Sequence, residues 1–136
     1  MLIDTNVWSE LLRPEPLPAV TKLLSDRRRE VYLSTVVVAE MEFGVARLAD
    51  SKQRDRLRAF VDDIVVRSES RVLLPDLATA IVFGKLKGHL RAVGKPIADL
   101  DLLIASQAIA AGMQLVTRNV SDMARTGARI INPWQP

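Results

Sequence analysis

The first six residues, MLIDTN at positions 1–6, carry the feature on which the fold assignment depends. Three apolar residues suit a short buried strand, and the chain then turns to three small polar residues that begin with the carboxylate of Asp4. In an open parallel sheet, ligands bind at the carboxyl ends of the strands. Asp4 is therefore either an acid of a binding site or the cap of the next helix. The positions of the other acidic residues bear on that choice.

Beyond this stretch, short apolar runs alternate with segments of helical periodicity, which predicts an α/β domain with a parallel sheet. We expect one domain over residues 1–136, with five strands sandwiched between helices. The last long helix has Asp99 in place for an N-cap and Gly112 just beyond its end. The predicted strands are 1–3, 31–34, 71–74, 113–117 and 128–132, and the predicted helices are 6–13, 17–28, 36–48, 51–65, 77–94 and 99–112.

The composition limits the chemistry that the chain can perform. It has no cysteine and one histidine, His89, which excludes thiolate sites and histidine-rich zinc sites. A metal ion would need oxygen ligands, which favours magnesium or manganese. The net charge of +3 is compatible with a polyanionic partner. No signal peptide is visible and no apolar run approaches the roughly 18–20 residues of a membrane span, so we expect a cytoplasmic protein without membrane association.

Most of the 16 acidic residues fall on polar helix faces, but five occupy positions where apolar residues or element ends surround them. If the strands are parallel, these five converge on one edge of the sheet. Carboxylates drawn together repel one another unless a cation binds between them. One or two hard divalent ions at such an edge can activate water and hold a phosphodiester, which indicates a nuclease. The five acids are Asp4, Glu40, Asp99, Asp101 and Asp122.

Each acid taken alone also has an ordinary structural explanation. Asp4 could cap the first helix, and Glu40 could pair with a basic residue. Asp99 is better explained as a helix cap than as a ligand. Asp101 lies in the first helical turn, where a negative charge is favoured, and Asp122 could cap the short turn at 123–127. The individual positions therefore leave both interpretations open.

Four segments together change this balance. In order along the chain they are IDTNVWSELLRP at 3–14, LSTVVVAEMEFGVARL at 33–48, KPIADLDLLIASQAIAAGMQLVTRN at 95–119 and INPW at 131–134. These segments resemble the PIN-domain ribonucleases, and more closely the VapC/FitB type of toxin in bacterial type II toxin–antitoxin systems. The resemblance runs from residue 2 to residue 134, which is nearly the whole chain.

The resemblance implies a three-layer α/β/α fold whose five-stranded, mainly parallel sheet is ordered 3-2-1-4-5. It implies a Mg²⁺- or Mn²⁺-dependent endoribonuclease in which Asp4, Glu40 and Asp101 are catalytic acids that bind metal. Asp99 is then an auxiliary residue beside the site. The fourth acid of the family corresponds here to Asn119, a departure from the pattern, so either Asn119 or the nearby catalytic candidate Asp122 fills that position.

The neighbouring polar and basic residues also have candidate roles. Glu40 would orient or deprotonate the attacking water. Small polar groups would orient the carboxylates and the phosphate. The grouping of basic residues near the acids, apart from any resemblance, indicates contacts with RNA phosphates. Solvated surface charge explains the group at 85–95 equally well, and Arg118 is the sharper phosphate candidate. The small polar group comprises Thr5, Asn6, Thr117 and Asn119, and the basic group comprises Lys87, Arg91, Lys95 and Arg118.

Further implications concern partners. A homodimer is expected, within a larger complex with a cognate VapB-like antitoxin that lies across the groove and blocks the metal site. Trp8, Leu11 and Leu12 could form that contact, and core packing explains them equally well. The RNA target stays open between transfer, ribosomal and messenger RNA.

Two other classes compete with this interpretation. A receiver-like signalling domain is also a small α/β unit with an acidic magnesium pocket. It needs an aspartate ending the third strand and a lysine ending the last, where this chain offers Asp76 at best and no lysine. A PIN-like protein that binds RNA without cutting it is the second alternative, because Asn119 replaces an acid.

Overall fold

A computed structural model describes all 136 residues of the chain. Five two-residue strands alternate with helices, as the sequence pattern predicts, and one short helix, α7, was not expected. The strands are β1 (Leu2–Ile3), β2 (Leu33–Ser34), β3 (Val72–Leu73), β4 (Leu115–Val116) and β5 (Ile130–Ile131). The helices are α1 (Thr5–Glu10), α2 (Pro18–Asp26), α3 (Thr35–Ala46), α4 (Lys52–Arg67), α5 (Leu77–Ala92), α6 (Asp99–Ala110) and α7 (Val120–Met123), with 3₁₀ turns at Arg28–Glu30 and Ala124–Thr126.

All strand pairs are parallel, which confirms the α/β class. β1 pairs with β4 and β4 with β5, while β2 pairs separately with β3. Between the two groups, Leu2 and Tyr32 form an isolated parallel bridge, and the Tyr32 amide donates to the Met1 carbonyl at 3.0 Å. The predicted single five-stranded sheet is therefore observed as two paired groups, because the strands are too short for the central contact to extend beyond one bridge.

Strands β1, β2 and β4 are buried on both sides, whereas β3 and β5 are partly exposed. Leu2, Ile3, Leu33, Leu115 and Val116 have no exposed surface, as expected for a parallel sheet covered by helices on both faces. The strand ends are thereby fixed by packing on all sides. The polar residues Asp4 and Thr117, which directly follow β1 and β4, lie together at one edge and are buried there.

Side chains cap several helices. Ser34 accepts a hydrogen bond from the Val36 amide at the start of α3, and Asp76 accepts one from the Thr79 amide at the start of α5. Asp76, the residue that a receiver-like domain would use as phosphoacceptor, is thus a helix cap. Gly112 follows α6 with a φ of +65°, which confirms its predicted place beyond the helix end.

The prediction of Asp99 as the N-cap of α6 is wrong. The N-cap is Ala98, which makes no side-chain hydrogen bond, and Asp99 is the first helical residue. The Asp99 carboxylate instead pairs with Lys87 on α5, with 2.9 Å between Nζ and Oδ1. The neighbouring helix therefore draws this side chain away from the backbone amides that it was expected to cap.

A buried polar contact fixes α6 on the second group of strands. The Ser34 hydroxyl donates to Gln107 Oε1, and Gln107 Nε2 donates to the Leu73 carbonyl at 3.3 Å. Buried polar groups are costly unless they are paired, so this contact specifies how α6 lies against β2 and β3. It thereby positions Asp101 at the start of α6 relative to α3, which follows β2 directly. None of the helices is both long and apolar enough to cross a bilayer.

Candidate active site

Asp4 is both a helix cap and a buried acid at the edge of the sheet. It follows β1, is 3% exposed, and its Oδ1 accepts a hydrogen bond from the Thr5 amide at 2.7 Å. Its Oδ2 accepts from Asn6 Nδ2 at 2.7 Å and from the Thr117 hydroxyl at 2.6 Å. Both interpretations of Asp4 are therefore compatible in one structure.

Thr117 and Asn6 connect the ends of β1 and β4. Thr117 Oγ1 also accepts hydrogen bonds from Asn6 Nδ2 at 3.2 Å and from the Asn119 amide at 3.0 Å. Asn6 Oδ1 accepts from the Arg118 amide at 3.1 Å. These bonds hold Asp4 in one orientation and order the chain that follows β4. Four of the predicted auxiliary residues, Thr5, Asn6, Thr117 and Asn119, thus surround Asp4 or its partners.

Glu40 joins the same cluster through α3. Its Oε1 accepts a hydrogen bond from the Thr5 hydroxyl at 2.8 Å, across 35 positions in sequence. No basic residue forms an ion pair with Glu40, so the alternative that it pairs with a cation is wrong. Glu40 is half-buried and keeps its second oxygen free of protein hydrogen bonds.

The pKa values of three acids at this edge, Asp4, Glu40 and Asp101, are raised above their ordinary values. Burial raises the pKa of Asp4, against the hydrogen bonds from Thr117, Thr5 and Asn6, which lower it. Burial also raises the pKa of Glu40, and the charges of Asp4 and Asp101 add to this. The pKa of Asp101 is raised by burial and by the charges of Asp4 and Asp122. The acids predicted from sequence therefore lie within electrostatic reach of one another at this edge.

The donor set suits a hard cation that keeps part of its water shell. Asp4, Glu40 and Asp101 supply carboxylate oxygens and have no basic partner. No three acidic or histidine side chains come close enough together to enclose one ion directly. Magnesium binds proteins through one or two carboxylates and several waters, so the residues present fit that ion.

Asp122 has a different environment from the other acids. It lies within α7 and caps no helix, so its predicted capping role is wrong. Its carboxylate pairs with Arg125, and its Oδ2 accepts a hydrogen bond from Asn119 Nδ2 at 3.2 Å. The two candidates for the fourth position, Asn119 and Asp122, are therefore joined by a hydrogen bond between their side chains. Arg125 was missed in the sequence, although its spacing of three residues from Asp122 is one at which helical ion pairs form.

Most of the predicted basic residues lie at the margin of the cluster. Lys87 forms an ion pair with Asp99, and both side chains are substantially exposed. Asp99 makes no hydrogen bond with the other acids. Arg91 and Lys95 are exposed, and the Lys95 carbonyl accepts a hydrogen bond from Arg125 at 3.1 Å. These residues are near the start of α6 but are not drawn into the hydrogen-bond network.

Arg118 is the basic residue most closely attached to the cluster. Its amide donates to Asn6, and its guanidinium lies 5.6 Å from the centroid of the Trp134 ring. It is exposed and forms no ion pair within 4.0 Å. A cation oriented by an aromatic face beside buried acids is well placed to meet an anionic group from solvent.

The fold and the clustered carboxylates define an α/β domain with an acidic site at one edge of its strands, and comparison with known proteins agrees with this description. The sequence matches the PIN domain over residues 1–128. It is 35% identical over 138 residues to the VapC ribonuclease Y4jK of Sinorhizobium fredii, covering 100% of this chain and 99% of that protein. It is 32% identical over 136 residues to the toxin FitB of Neisseria gonorrhoeae, covering 98% of each chain.

Solved structures give the same result. The crystal structure of FitAcB from Neisseria gonorrhoeae superposes with a TM-score of 0.89 at 32% identity, over 99% of both chains. The structure of VapBC2 from Rickettsia felis bound to a promoter DNA fragment superposes with a TM-score of 0.82 at 26% identity, over 96% of both chains. The chain therefore belongs to the PIN-domain family. Within that family it is of the VapC/FitB type, the endoribonuclease toxins of toxin–antitoxin systems, as the sequence resemblance predicts.

Proposed function

We propose that this chain is the toxin of a type II toxin–antitoxin system and hydrolyses RNA phosphodiester bonds with Mg²⁺ or Mn²⁺. The observation that carries the proposal is the group Asp4, Glu40 and Asp101. These carboxylates have no basic partner, burial raises the pKa of each, and the charge of Asp4 further raises the pKa values of Glu40 and Asp101. Such a group is stabilised by a cation. A PIN-domain chain that keeps this group is equipped for cleavage and not only for RNA binding.

Asp4 and Asp101 would hold the ion, directly or through water, with Glu40 beside it. A divalent ion at such a site lowers the pKa of bound water and stabilises charge on a phosphoryl group. The hydrogen bonds from Asn6 and Thr117 hold Asp4 Oδ2, which leaves the second lone pair of Oδ1 for the ion or its water. Hydrogen bonds from neighbouring side chains to a metal-binding carboxylate orient it and adjust its affinity for the metal.

Glu40 accepts the proton of the attacking water in this proposal. Thr5 fixes one carboxylate oxygen, and the other is free to face the water. Burial and the neighbouring acids raise the pKa of Glu40, which makes it a stronger base than a solvated glutamate. Asn119 and Asp122 line the same edge on the side of α7.

Arg118 binds a phosphate of the RNA in this proposal. Its guanidinium is exposed and has no carboxylate partner, and its amide donates to Asn6, which in turn donates to Asp4. Arg91 and Lys95 extend this basic margin, and Lys87 joins it when RNA competes with Asp99. Binding through phosphates weakens as salt concentration rises. Transfer RNA is one candidate substrate among structured RNAs, since a curated relative from Shigella flexneri is a tRNA(fMet)-specific endonuclease. The cytoplasm, where these RNAs occur, is the proposed site of action.

A cognate VapB-like antitoxin inhibits the enzyme in this proposal. The structural relatives include the FitAB and VapBC toxin–antitoxin complexes. Trp8 and Leu11 line a cleft with Leu24 and Ile64, which gives an apolar surface for a partner segment. Leu12 lines a different cleft, so only two of the three predicted contact residues share this surface.

A homodimer is part of the proposal, formed through a patch of exposed apolar residues around the start of α5. Leu74, Leu77 and Ile81 are 68%, 77% and 49% exposed. Exposed apolar residues that cluster in this way are typical of interaction surfaces. We also propose that the chain forms a single domain whose five strands make one sheet with the order 3-2-1-4-5. The bridge between Leu2 and Tyr32 supports the continuity of that sheet between β1 and β2.

The experiment that tests the proposal is cleavage of total bacterial RNA by the purified chain with Mg²⁺, Mn²⁺ or EDTA. Asp101→Asn, which keeps the shape and removes the charge, is the matched variant, and its circular dichroism spectrum controls for folding. Discrete fragments that require metal and vanish in Asp101→Asn support the proposal. Retarded migration of the RNA without cleavage, with antitoxin absent, would favour the alternative of an RNA-binding protein that does not cut.

A further inference from the structure

Among the four acids Asp4, Glu40, Asp101 and Asp122, only Asp122 forms an ion pair within the chain. Arg125 Nη2 donates to Asp122 Oδ1, and Asn119 Nδ2 donates to Oδ2 at 3.2 Å. Asp4, Glu40 and Asp101 have no such cationic partner. The cluster is therefore divided into three carboxylates that lack a counter-ion and one that has one.

Arg125 is held at two points. Its Nη1 donates to the Lys95 carbonyl at 3.1 Å, in the loop between α5 and α6, while Nη2 reaches Asp122. The Arg125 side chain is 30% exposed. A planar guanidinium with several fixed donors can bridge two such acceptors, which a lysine ammonium cannot reproduce with the same geometry. Arg125 thus connects α7 to the loop that leads into Asp101.

We propose that Arg125 is the resident counter-ion of Asp122, so that the site binds one divalent ion, at Asp4, Glu40 and Asp101, and not two. The inference rests on the proposed function. Arg125 neutralises Asp122, and a second divalent ion there would have to displace a guanidinium that is anchored to the backbone of Lys95. The net attraction of a neutral ion pair for a further cation is small compared with that of a free carboxylate. Arg125 is a positioning residue, since it acts through Asp122.

The test is a titration of the purified, full-length chain with Mn²⁺ in the absence of RNA, monitored by the electron paramagnetic resonance signal of free Mn²⁺. The original chain is expected to bind one ion per chain. Arg125→Ala exposes a carboxylate beside Asp101, so it is expected to bind a second ion, at least about tenfold more tightly than the original chain binds any second ion. The double variant Arg125→Ala, Asp122→Asn is expected to return to one ion.

Matched variants separate this effect from loss of charge or of folding. Arg47→Ala removes an exposed arginine that makes no ion pair at the end of α3, and we expect it to bind Mn²⁺ like the original chain. Asp122→Asn in the otherwise intact chain is the variant to use if Arg125→Ala does not fold. It is expected to leave the number of bound ions at one, because Asp122 holds no ion in this proposal.

Three results would overturn the inference: two ions of similar affinity on the original chain, an unchanged stoichiometry in Arg125→Ala, or loss of an ion in Asp122→Asn. The failure of the proposed function is distinguishable from all three. It would be seen as no bound Mn²⁺ on the original chain together with no metal-dependent cleavage of RNA.

Discussion

At the scale of single residues, Thr5 connects two acids of the site. Its amide donates to Asp4 Oδ1 at 2.7 Å, and its hydroxyl donates to Glu40 Oε1 at 2.8 Å. The hydrogen bond donated by the backbone amide caps α1, and any residue except proline can make it. The hydroxyl bond depends on the side chain and orients the proposed base.

Thr5→Val is therefore expected to lower kcat for RNA cleavage by about tenfold, the effect of one lost hydrogen bond to a charged group. KM should change little, because Thr5 is not a proposed RNA contact. Thr5→Ser keeps the hydroxyl and serves as the control, with kcat expected near that of the original chain. Steady-state cleavage of a defined RNA fragment measures both constants, and an equal loss in the two variants would contradict the role of the hydroxyl.

Glu10 gives a second prediction at the residue scale, concerning stability and pH. It is 5% exposed, and the Leu17 amide donates to Glu10 Oε1 at 2.9 Å. This hydrogen bond, followed by the interaction with Arg13, lowers the pKa of Glu10 from its ordinary value of 4.5. A lowered pKa stabilises the folded state above pH 4.5, and the contribution is lost as pH falls through the folded pKa.

We expect Glu10→Gln to have a lower free energy of unfolding than the original chain at pH 7. The difference should shrink below pH 4.5, because Glu10 then becomes protonated in the original chain. Urea denaturation of both chains between pH 3 and pH 7 measures the difference, and the other acids cancel in the comparison. A difference that is constant with pH would show that the ionised form of Glu10 is not the source of the stability.

At the scale of elements, the end of α6 shows how one residue stops a helix. Gly112 has a φ of +65°, and an added Cβ there would meet no atom within 4 Å. The cost of a side chain at this position is thus one of backbone conformation and not of space. Gly84 lies within α5, also with nothing within 4 Å of an added Cβ, and its φ is ordinary for a helix.

These two glycines are expected to respond to the same substitution with opposite signs. Gly112→Ala should destabilise the protein by about 1–2 kcal/mol, because alanine is strained at positive φ. Gly84→Ala should stabilise it by about 1 kcal/mol, the difference in helix propensity. Thermal denaturation followed by circular dichroism measures both changes, with Tm shifts of about 3–5 °C per kcal/mol. A destabilised Gly84→Ala would show that α5 needs a bare backbone there, as in a close interface.

At the scale of the whole molecule, the apolar residues around the start of α5 concern assembly. Leu77 is 77% exposed in the single chain and lies beside exposed Leu74 and Ile81. An aspartate at the first position of a helix is favoured by the helix dipole, so Leu77→Asp alters the surface without weakening α5. Val66, which is 72% exposed on α4, offers a matched apolar site elsewhere.

We expect Leu77→Asp to convert the proposed homodimer to a monomer, because a buried charge without a partner is costly at an apolar interface. Val66→Asp should leave the dimer intact. Size-exclusion chromatography with light scattering measures the mass of each chain. A monomeric original chain, or a Leu77→Asp variant that remains dimeric, would place the subunit contact elsewhere or exclude it.

Much of the fold could be predicted from local patterns. Buried strands such as Leu2–Ile3 and Leu115–Val116 appear as short apolar runs, and the helices between them show regular apolar spacing. Their lengths were overestimated, because flanking residues such as Tyr32 have strand-like composition but pair only through one bridge. The short helix α7 was not predicted, since four residues carry too little periodicity.

Residue types and local spacings were enough to predict the class of the fold, the family and Asp4, Glu40 and Asp101 as the candidate acids of the site. These depend on residue types and on spacings within a segment, which the chain displays directly. The hydrogen-bond and ion-pair partners of each acid could not be predicted from the sequence. Thr117 reaches Asp4 across 113 positions and Thr5 reaches Glu40 across 35, while Asp99 turns to Lys87 and Asp122 to Arg125. Hydrogen bonds, ion pairs and raised pKa values arise from distance and burial in space, so they are settled only when the helices pack against the strands.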